Sequence, residues 1–199
     1  MTRPDYKKIT QVLNYIAGKE GGKINYMKAL KLAYLADRLH LRKYGRLITE
    51  DKMVAMQKGT LGSQALDIIG KNVSLPHNVY QYVENRLKRD LDRFTIEARD
   101  RDRTSLSETD IECLDKVYSL LGDKGEFDLA ELTHKLPEWK RYEYIIEKKE
   151  KSVVAMQMFD LFEPTENPEL NQLYSQPDEE LYLSRNLFRE SLEQEKYLS

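Results

Sequence analysis

Apolar residues near the start of the chain recur at steps of three and four, which is the spacing of one face of an α-helix. The pattern predicts an amphipathic helix over residues 4–17, with Pro4 in a first-turn position. The glycines at positions 18, 21 and 22 then end it. Its apolar stripe consists of Tyr6, Ile9, Val12, Leu13 and Ile16.

A second helix is predicted from Asn25 to Tyr44. Asn25 suits the N-cap position, and Gly45 is a natural stop because glycine readily adopts the left-handed backbone that ends many helices. The apolar positions that repeat by three and four are Leu30, Tyr34, Leu35 and Leu39.

The middle of the chain is less regular and predicts short elements. Two strands are expected at residues 47–49 and 53–57, around a turn at residues 50–51. Gly59 and Gly62 mark a bend. The other predicted elements are a short helix over 63–70, a helix over 77–88 and a strand over 94–98.

The second half is predicted to be helical after a mixed-charge linker at residues 99–104. Ser107 and Asp110 have the spacing of a capping box, which predicts a helix that Gly122 ends. Asp128 is the expected cap of a short helix through Leu132. Three more helices are predicted: 137–146, an apolar core helix over 153–162, and an amphipathic helix over 178–198 that is appended outside the core.

These elements predict a mainly α fold. One compact helical domain with a few short β-strands is expected over residues 1–163, and an acidic helical extension over residues 164–199. The composition changes at this boundary, because residues 163–199 carry 9 acidic and 3 basic side chains.

Composition narrows the class of protein. The 199 residues are 40% apolar and 33% charged, and the longest apolar run is Leu32–Ala36, far short of the ~20 residues that a membrane span needs. The single cysteine, Cys113, excludes a disulfide framework and is expected to be a buried, inert thiol. We therefore expect a cytoplasmic protein without membrane segments.

The net charge of −2 conceals a gradient along the chain. Residues 1–50 carry 11 basic and 4 acidic side chains, whereas residues 151–199 carry 4 basic and 10 acidic. The basic front could attract nucleic acid, but the acidic remainder and the pI near 6.0 oppose it, so nucleic-acid binding is a secondary hypothesis. The paired cations Lys28 and Lys31, and Arg38 and Arg42, are expected on exposed helix faces.

Candidate catalytic groups are few. The histidines His40, His77 and His134 lie in separate segments without metal-ligand spacing, and His40 is expected on the surface. A hydrolase that uses His134 with Asp128 or Glu131 is an alternative, because these residues lie three apart on a predicted helix. No cofactor or metal is expected, and the leading hypothesis is a protein that is not an enzyme.

Two blocks of sequence resemble the Panacea domain, also called the SocA-like antitoxin domain. The first is a Lys-Leu-x-Tyr helix followed by a histidine and a Tyr-Gly turn, and the second is a Leu-Thr-His element followed by a proline and a tryptophan. The residues that carry the resemblance are Lys31, Leu32, Tyr34, His40, Tyr44, Gly45, Thr133, His134, Pro137 and Trp139.

The resemblance implies binding rather than catalysis. Such proteins neutralise a cognate toxin by direct contact; the toxins include tRNA-modifying alarmone-synthetase-like and Fic-type proteins, and one branch delivers its toxin to a protease. Trp139 is expected mainly as a core residue and secondarily as an interface anchor. The candidate partner-binding residues are Trp139, Tyr142, Tyr144, Leu181, Tyr182, Leu187 and Phe188.

Overall fold

The computed structural model describes residues 5–70, 75–148 and 150–198. The predicted Pro4 position lies outside these ranges. The fold is mainly α, with two small antiparallel sheets and a long C-terminal helix, as the apolar pattern predicts. The helices are α1 (Tyr6–Lys19), α2 (Tyr26–Tyr44), α3 (Ser63–Gly70), α4 (His77–Arg86), α5 (Glu108–Leu121), α6 (Glu126–His134), α7 (Pro137–Lys140), α8 (Glu143–Glu147), a 3-10 helix (Met158–Phe162), α9 (Pro168–Tyr174) and α10 (Asp178–Leu198). The strands are β1 (Lys23–Asn25), β2 (Met53–Met56), β3 (Gly59–Gly62), β4 (Leu87–Asp90), β5 (Thr95–Ala98) and β6 (Val153–Ala155).

Helix α2 is the centre of the molecule. Every residue from Lys28 to Arg42 is buried, because α1, α5, α6 and α10 pack around the helix. The expectation that its cations lie on an exposed face is therefore wrong: Lys31 and Arg38 are fully buried, and Arg42 is 3% exposed. His40, also expected on the surface, is fully buried as well.

Local signals set the ends of the helices as predicted. The Asn25 side chain accepts hydrogen bonds from the backbone N–H groups of Met27 and Lys28, and Ser107 and Asp110 form the capping box of α5. Gly45 ends α2 in the left-handed region at φ 69°. A side chain there would also press on α10, since a Cβ would lie 2.6 Å from the Ser184 carbonyl oxygen.

The two sheets correct several predictions in the middle of the chain. In the sheet β3-β2-β6, the β2–β3 hairpin turns at Gln57 and Lys58 rather than at residues 50–51. Residues 47–49 form no strand, because the Thr49 N–H and hydroxyl donate to the buried Asp37 carboxylate at 2.9 and 2.6 Å instead. In the sheet β1-β5-β4, the predicted helix over 77–88 ends at Arg86 and passes directly into β4.

The predicted core helix over 153–162 is wrong. Residues 153–155 pair with β2 as strand β6, in the register Ala55 opposite Val154, and a 3-10 helix follows. The predicted helix over 137–146 is likewise divided into α7 and α8, and Asp128 lies in the first turn of α6, where its carboxylate accepts from the Gly125 N–H at 3.4 Å.

Part of the predicted extension belongs to the core. Leu170, Leu173 and Tyr174 of α9 are buried, as is Phe188 of α10. The expectation that the helix over 178–198 lies outside the core is therefore wrong at Phe188. The Ser184 hydroxyl donates to the Arg42 carbonyl at 2.6 Å and so fixes α10 to the end of α2. A domain boundary at residue 163 stays a prediction.

A buried ion pair joins α2 to the second half of the chain. The Arg38 Nε donates to Glu138 Oε1 at 2.7 Å, and both side chains are fully buried. The Tyr34 hydroxyl donates to the same oxygen at 2.7 Å. The Arg38 guanidinium also donates to the Glu163 carbonyl at 2.8 Å and lies 4.3 Å from the Tyr174 ring centroid, so it connects four separate elements of the fold.

Replacing Glu138 with Gln should lower the free energy of unfolding by about 3–5 kcal/mol, because a buried guanidinium would lose its counter-charge. Chemical denaturation followed by circular dichroism measures this. The matched control is Glu97→Gln, whose carboxylate pairs with exposed Lys88 at 3.2 Å and should contribute less than about 1 kcal/mol. Similar small losses in both variants would contradict a structural role for the buried pair.

Candidate interaction site around the β2–β3 turn

The β2–β3 turn is exposed at the surface, but the residues directly beneath it are buried. Gln57 and Lys58 are exposed, whereas the adjacent Gly59 is buried with φ 87°. A Cβ at Gly59 would collide with the Thr133 hydroxyl and would lie 3.1 Å from the Lys31 Nζ. Only glycine therefore fits between the turn and helix α6.

Lys31 lies beneath this turn without an anionic partner among the residues that the structure describes. Its Nζ donates to the Thr60 carbonyl at 2.8 Å, and its side chain is fully buried. Burial lowers the pKa of Lys31 to about 7, since the charged ammonium loses its hydration. The lysine thus supports the hairpin as a buried donor whose charge varies near neutral pH.

Trp139 and His134 support the strand that leads into the turn. The Trp139 Nε1 donates to the Met56 carbonyl at 3.0 Å, and the His134 ring stacks on the indole at a centroid distance of 4.0 Å. Burial lowers the pKa of His134. Its Nε2 is buried and has no hydrogen-bond partner in the described part of the chain. Trp139 itself is 4% exposed and serves as a core residue.

Among the cavities beside the turn, two are bordered by both Gln57 and Lys58. One, of about 580 Å³, lies between the turn, the start of α2 and helix α6, and His134 forms part of its wall. The other, of about 530 Å³, has mainly apolar walls that include Met56, Leu61 and Ile146. Both volumes are in the range of ligand-binding clefts, and the turn residues Gln57 and Lys58 border both.

Three further motif residues, His40, Tyr44 and Gly45, lie at the opposite end of α2. His40 stacks on Tyr44 at a centroid distance of 4.7 Å, its Nδ1 lies 2.9 Å from the Arg46 carbonyl, and its Nε2 lies 3.2 Å from Asp110. Lys8 and Arg46 also bind the Asp110 carboxylate, at 2.8 and 2.9 Å. His40 and Asp110 are fully buried, and the cluster joins α1, α2 and α5, which is a structural role.

The predicted partner-binding residues are not in one place. Phe188 is buried on α10 and Tyr142 is half-buried beneath Gln157, whose N–H donates to its hydroxyl at 3.2 Å. Tyr144 is exposed on α8. The α10 residues include half-buried Leu181 and the exposed side chains Tyr182 and Leu187.

The chain belongs to the family described as antitoxin SocA-like, Panacea domain, which matches residues 30–140. This match confirms the resemblance drawn from the two sequence blocks. Comparisons with curated proteins and with solved structures give no match. In the described ranges, no helix is long and apolar enough to cross a membrane.

The groups of the hydrolase hypothesis are only partly brought together. Glu131 and His134 line the same cavity, and Glu131 acts electrostatically on the imidazole. Asp128 instead caps its own helix at Gly125. Cys113, expected to be inert, is 1% exposed, and burial raises the pKa of its thiol to about 12.

Sequence reasoning missed two exposed aromatics at the larger cavity. Phe94 is 58% exposed at φ 55°, and Phe127 is 73% exposed in the first turn of α6. The sequence did contain a signal in the position of these residues. Five of the six residues that precede Phe94 are charged, and Phe127 is out of step with the apolar stripe of its helix. Large apolar residues at such positions have no core role.

Replacing Lys31 with Met should change how stability depends on pH. The pKa of Lys31 is 10.5 in the unfolded chain and about 7 in the folded protein. Between pH 7 and 10.5 the unfolded state therefore binds more protons than the folded state. Wild-type stability should therefore rise with pH, by about 1 kcal/mol per unit relative to the variant between pH 7 and 8.5. Denaturant melts at a series of pH values measure this difference.

The matched control for this experiment is Lys52→Met, at an exposed lysine. The stability of Lys52→Met should depend on pH as the wild type does, because removing an exposed side chain leaves Lys31 and its surroundings unchanged. Parallel curves for the wild type and Lys31→Met would contradict a lowered pKa at Lys31.

Proposed function

We propose that this protein neutralises a cognate toxin by binding it directly. The observation that carries the proposal is the match to the SocA-like antitoxin domain over residues 30–140. The family is not a known enzyme family, which favours binding over turnover. By the same resemblance, the partner is a tRNA-modifying alarmone-synthetase-like toxin or a Fic-type toxin, and the complex forms in the cytoplasm.

Two exposed apolar areas are suited to such a contact. The first lies beside the β2–β3 turn and presents Phe94 and Phe127. The second is a stripe on α10 that consists of Tyr182, Leu183 and Leu187, exposed by 67%, 61% and 55%. Large apolar and aromatic side chains of this kind are the anchors that dominate binding energy in protein interfaces.

The charge on α10 suggests how its stripe would contribute. Its first turn carries Asp178, Glu179 and Glu180, and residues 163–199 carry a net charge of −6. An acidic surface accelerates association with a basic toxin cleft and occupies the place of an anionic substrate. The inner face of α10 is already packed on α2, so only the outer face is available to a partner.

Delivery of the toxin to a protease is the alternative mechanism for the same partner. The two mechanisms differ in their need for a protease. An adaptor protects the cell only when the protease is active, whereas direct neutralisation does not require it. A nucleic-acid regulator is less well supported, because the cations expected on an exposed face of α2 are buried.

Co-expression with the product of the adjacent open reading frame tests the proposal. We expect that product to stop growth alone, and this protein to restore growth and to co-purify with it as a stable complex. Continued toxicity, or a harmless neighbour, would refute the antitoxin function. Rescue that disappears in protease-deficient cells would replace direct neutralisation with delivery to a protease.

The variant pair Tyr182→Asp and Leu187→Asp tests the α10 stripe. Each should weaken the complex at least ~30-fold, because an interface hot spot contributes about 2 kcal/mol or more. Isothermal titration of the purified proteins measures the loss. Tyr197→Asp is the control, since Tyr197 is 90% exposed on the same helix but near its end; equal affinities for all three variants would exclude the stripe as the contact.

A further inference from the structure

The larger cavity beside the β2–β3 turn has walls of an unusual composition. Tyr26, Phe94 and Phe127 supply three aromatic rings, and Glu126 and Glu131 supply two carboxylates. The Tyr26 and Phe94 rings lie 6.0 Å apart with an interplanar angle of 39°. Aromatic faces next to carboxylates attract cations through both the ring quadrupole and the negative charge.

The exposure of the two phenylalanines is costly and needs a reason. Phe94 adopts φ 55°, a left-handed conformation that is strained for a bulky residue, and 58% of its surface is exposed. Phe127 is 73% exposed on the other wall. Phe94 ends the turn between β4 and β5, where its N–H donates to the Leu91 carbonyl at 3.2 Å, so its φ belongs to the hairpin. Neither side chain is required by the core, and it is the exposure of the two rings beside one cavity that indicates a ligand.

The charges at the cavity favour a cation over an anion. Two helices begin there, but the Asn25 side chain already accepts from the N–H groups at the start of α2, and Asp128 accepts from Gly125 at the start of α6. The available charges are therefore Glu126, which accepts from Asn25 at 3.1 Å through one oxygen only, and Glu131. Among the described residues, Glu131 has no salt-bridge partner.

Besides the two carboxylates, the titratable groups on the wall are Tyr26, Lys58 and His134. Burial lowers the pKa of His134, which keeps its ring neutral at neutral pH. Lys58 opposes a cationic ligand, but it lies on the exposed turn, where its long side chain can turn away into water. Lys31 lies beneath the turn and acts on the His134 ring, but its lowered pKa of about 7 leaves it only partly charged at neutral pH. The two carboxylates therefore outweigh the positive charge at the cavity.

We propose that this cavity binds an arginine side chain presented by a protein partner. A guanidinium is flat, stacks on aromatic rings and donates two parallel hydrogen bonds to a carboxylate, so it uses both kinds of wall at once. Lysine has a compact, strongly hydrated charge and uses the rings less well. That the partner is the toxin rests on the proposed function. That the cavity binds a guanidinium rests only on the residues in its walls.

The test is an NMR titration of the full-length protein with N-acetyl-arginine-N-methylamide. We expect saturable shifts at Phe94, Phe127 and Glu131 with a millimolar dissociation constant, which is typical of one side chain. The citrulline analogue has almost the same shape without the charge and should bind at least ~5-fold more weakly. Equal shifts with both probes, or stronger binding of N-acetyl-aspartate-N-methylamide, would overturn the proposal.

Substitutions sharpen the test because they predict opposite signs. Phe127→Ala and Glu131→Gln should each weaken arginine binding at least ~3-fold, whereas Lys58→Gln should strengthen it. All three positions are exposed, so the fold should be retained, which thermal melts check. The controls Tyr197→Ala and Glu193→Gln lie on α10 away from the cavity and should leave binding unchanged; a loss in the controls, or a uniform response to all the changes, would overturn the proposal.

The same variants separate the cavity from the proposed function. If the arginine probe binds but co-expression shows no neutralisation, the antitoxin function fails and the cavity stands. If Phe127→Ala loses the probe but still neutralises the toxin with full affinity, the assignment of the toxin as the arginine donor fails. Loss of both in Phe127→Ala and in Glu131→Gln supports the whole proposal.

Discussion

The fold depends on how a charged helix is accommodated at the centre of a small protein. Burying a guanidinium is favourable only if charge and hydrogen bonds are supplied around it. Arg38 obtains a carboxylate from Glu138, a carbonyl from Glu163 and a ring from Tyr174. These groups come from three later segments of the chain, so satisfying one side chain of α2 fixes the positions of α7, the 3-10 helix and α9.

Arg42 repeats this arrangement one turn later. It donates to the carbonyls of Phe162 and Tyr174 and to the side chain of Gln176. Burial and the nearby Arg38 lower the pKa of Arg42 to about 10, yet the group remains charged at neutral pH. Backbone carbonyls thus take the place of a second carboxylate. Lys31 is satisfied in a similar way beneath the β2–β3 hairpin. In its neutral form, the Lys31 amine needs only one hydrogen bond, which it donates to the Thr60 carbonyl.

The sequence predicted what is encoded locally and missed what is encoded at long range. Helix caps such as Asn25 and Ser107 act on backbone groups two or three residues away, so their patterns sufficed. Arg38 and Glu138 are 100 residues apart, and nothing near either residue indicates that they meet. The apolar run at residues 153–162 is equally consistent with strand or helix, and its pairing with β2 decided between them. For the site, the motif residues Lys31, Thr133 and Trp139 were found, but the exposed Phe94 and Phe127 were not, because exposure is not visible in a pattern.

The carbonyls that accept hydrogen bonds from Arg42 lie late in the sequence, and this has a consequence for folding during synthesis on the ribosome. The family domain matches residues 30–140, yet the acceptors of this guanidinium lie at Phe162 and Tyr174, which are translated later. The emerging chain therefore has its matched segment complete while the central helix still lacks these partners. Folding is complete only when these later residues arrive, and until then the Arg42 guanidinium in the central helix lacks the carbonyls that satisfy it.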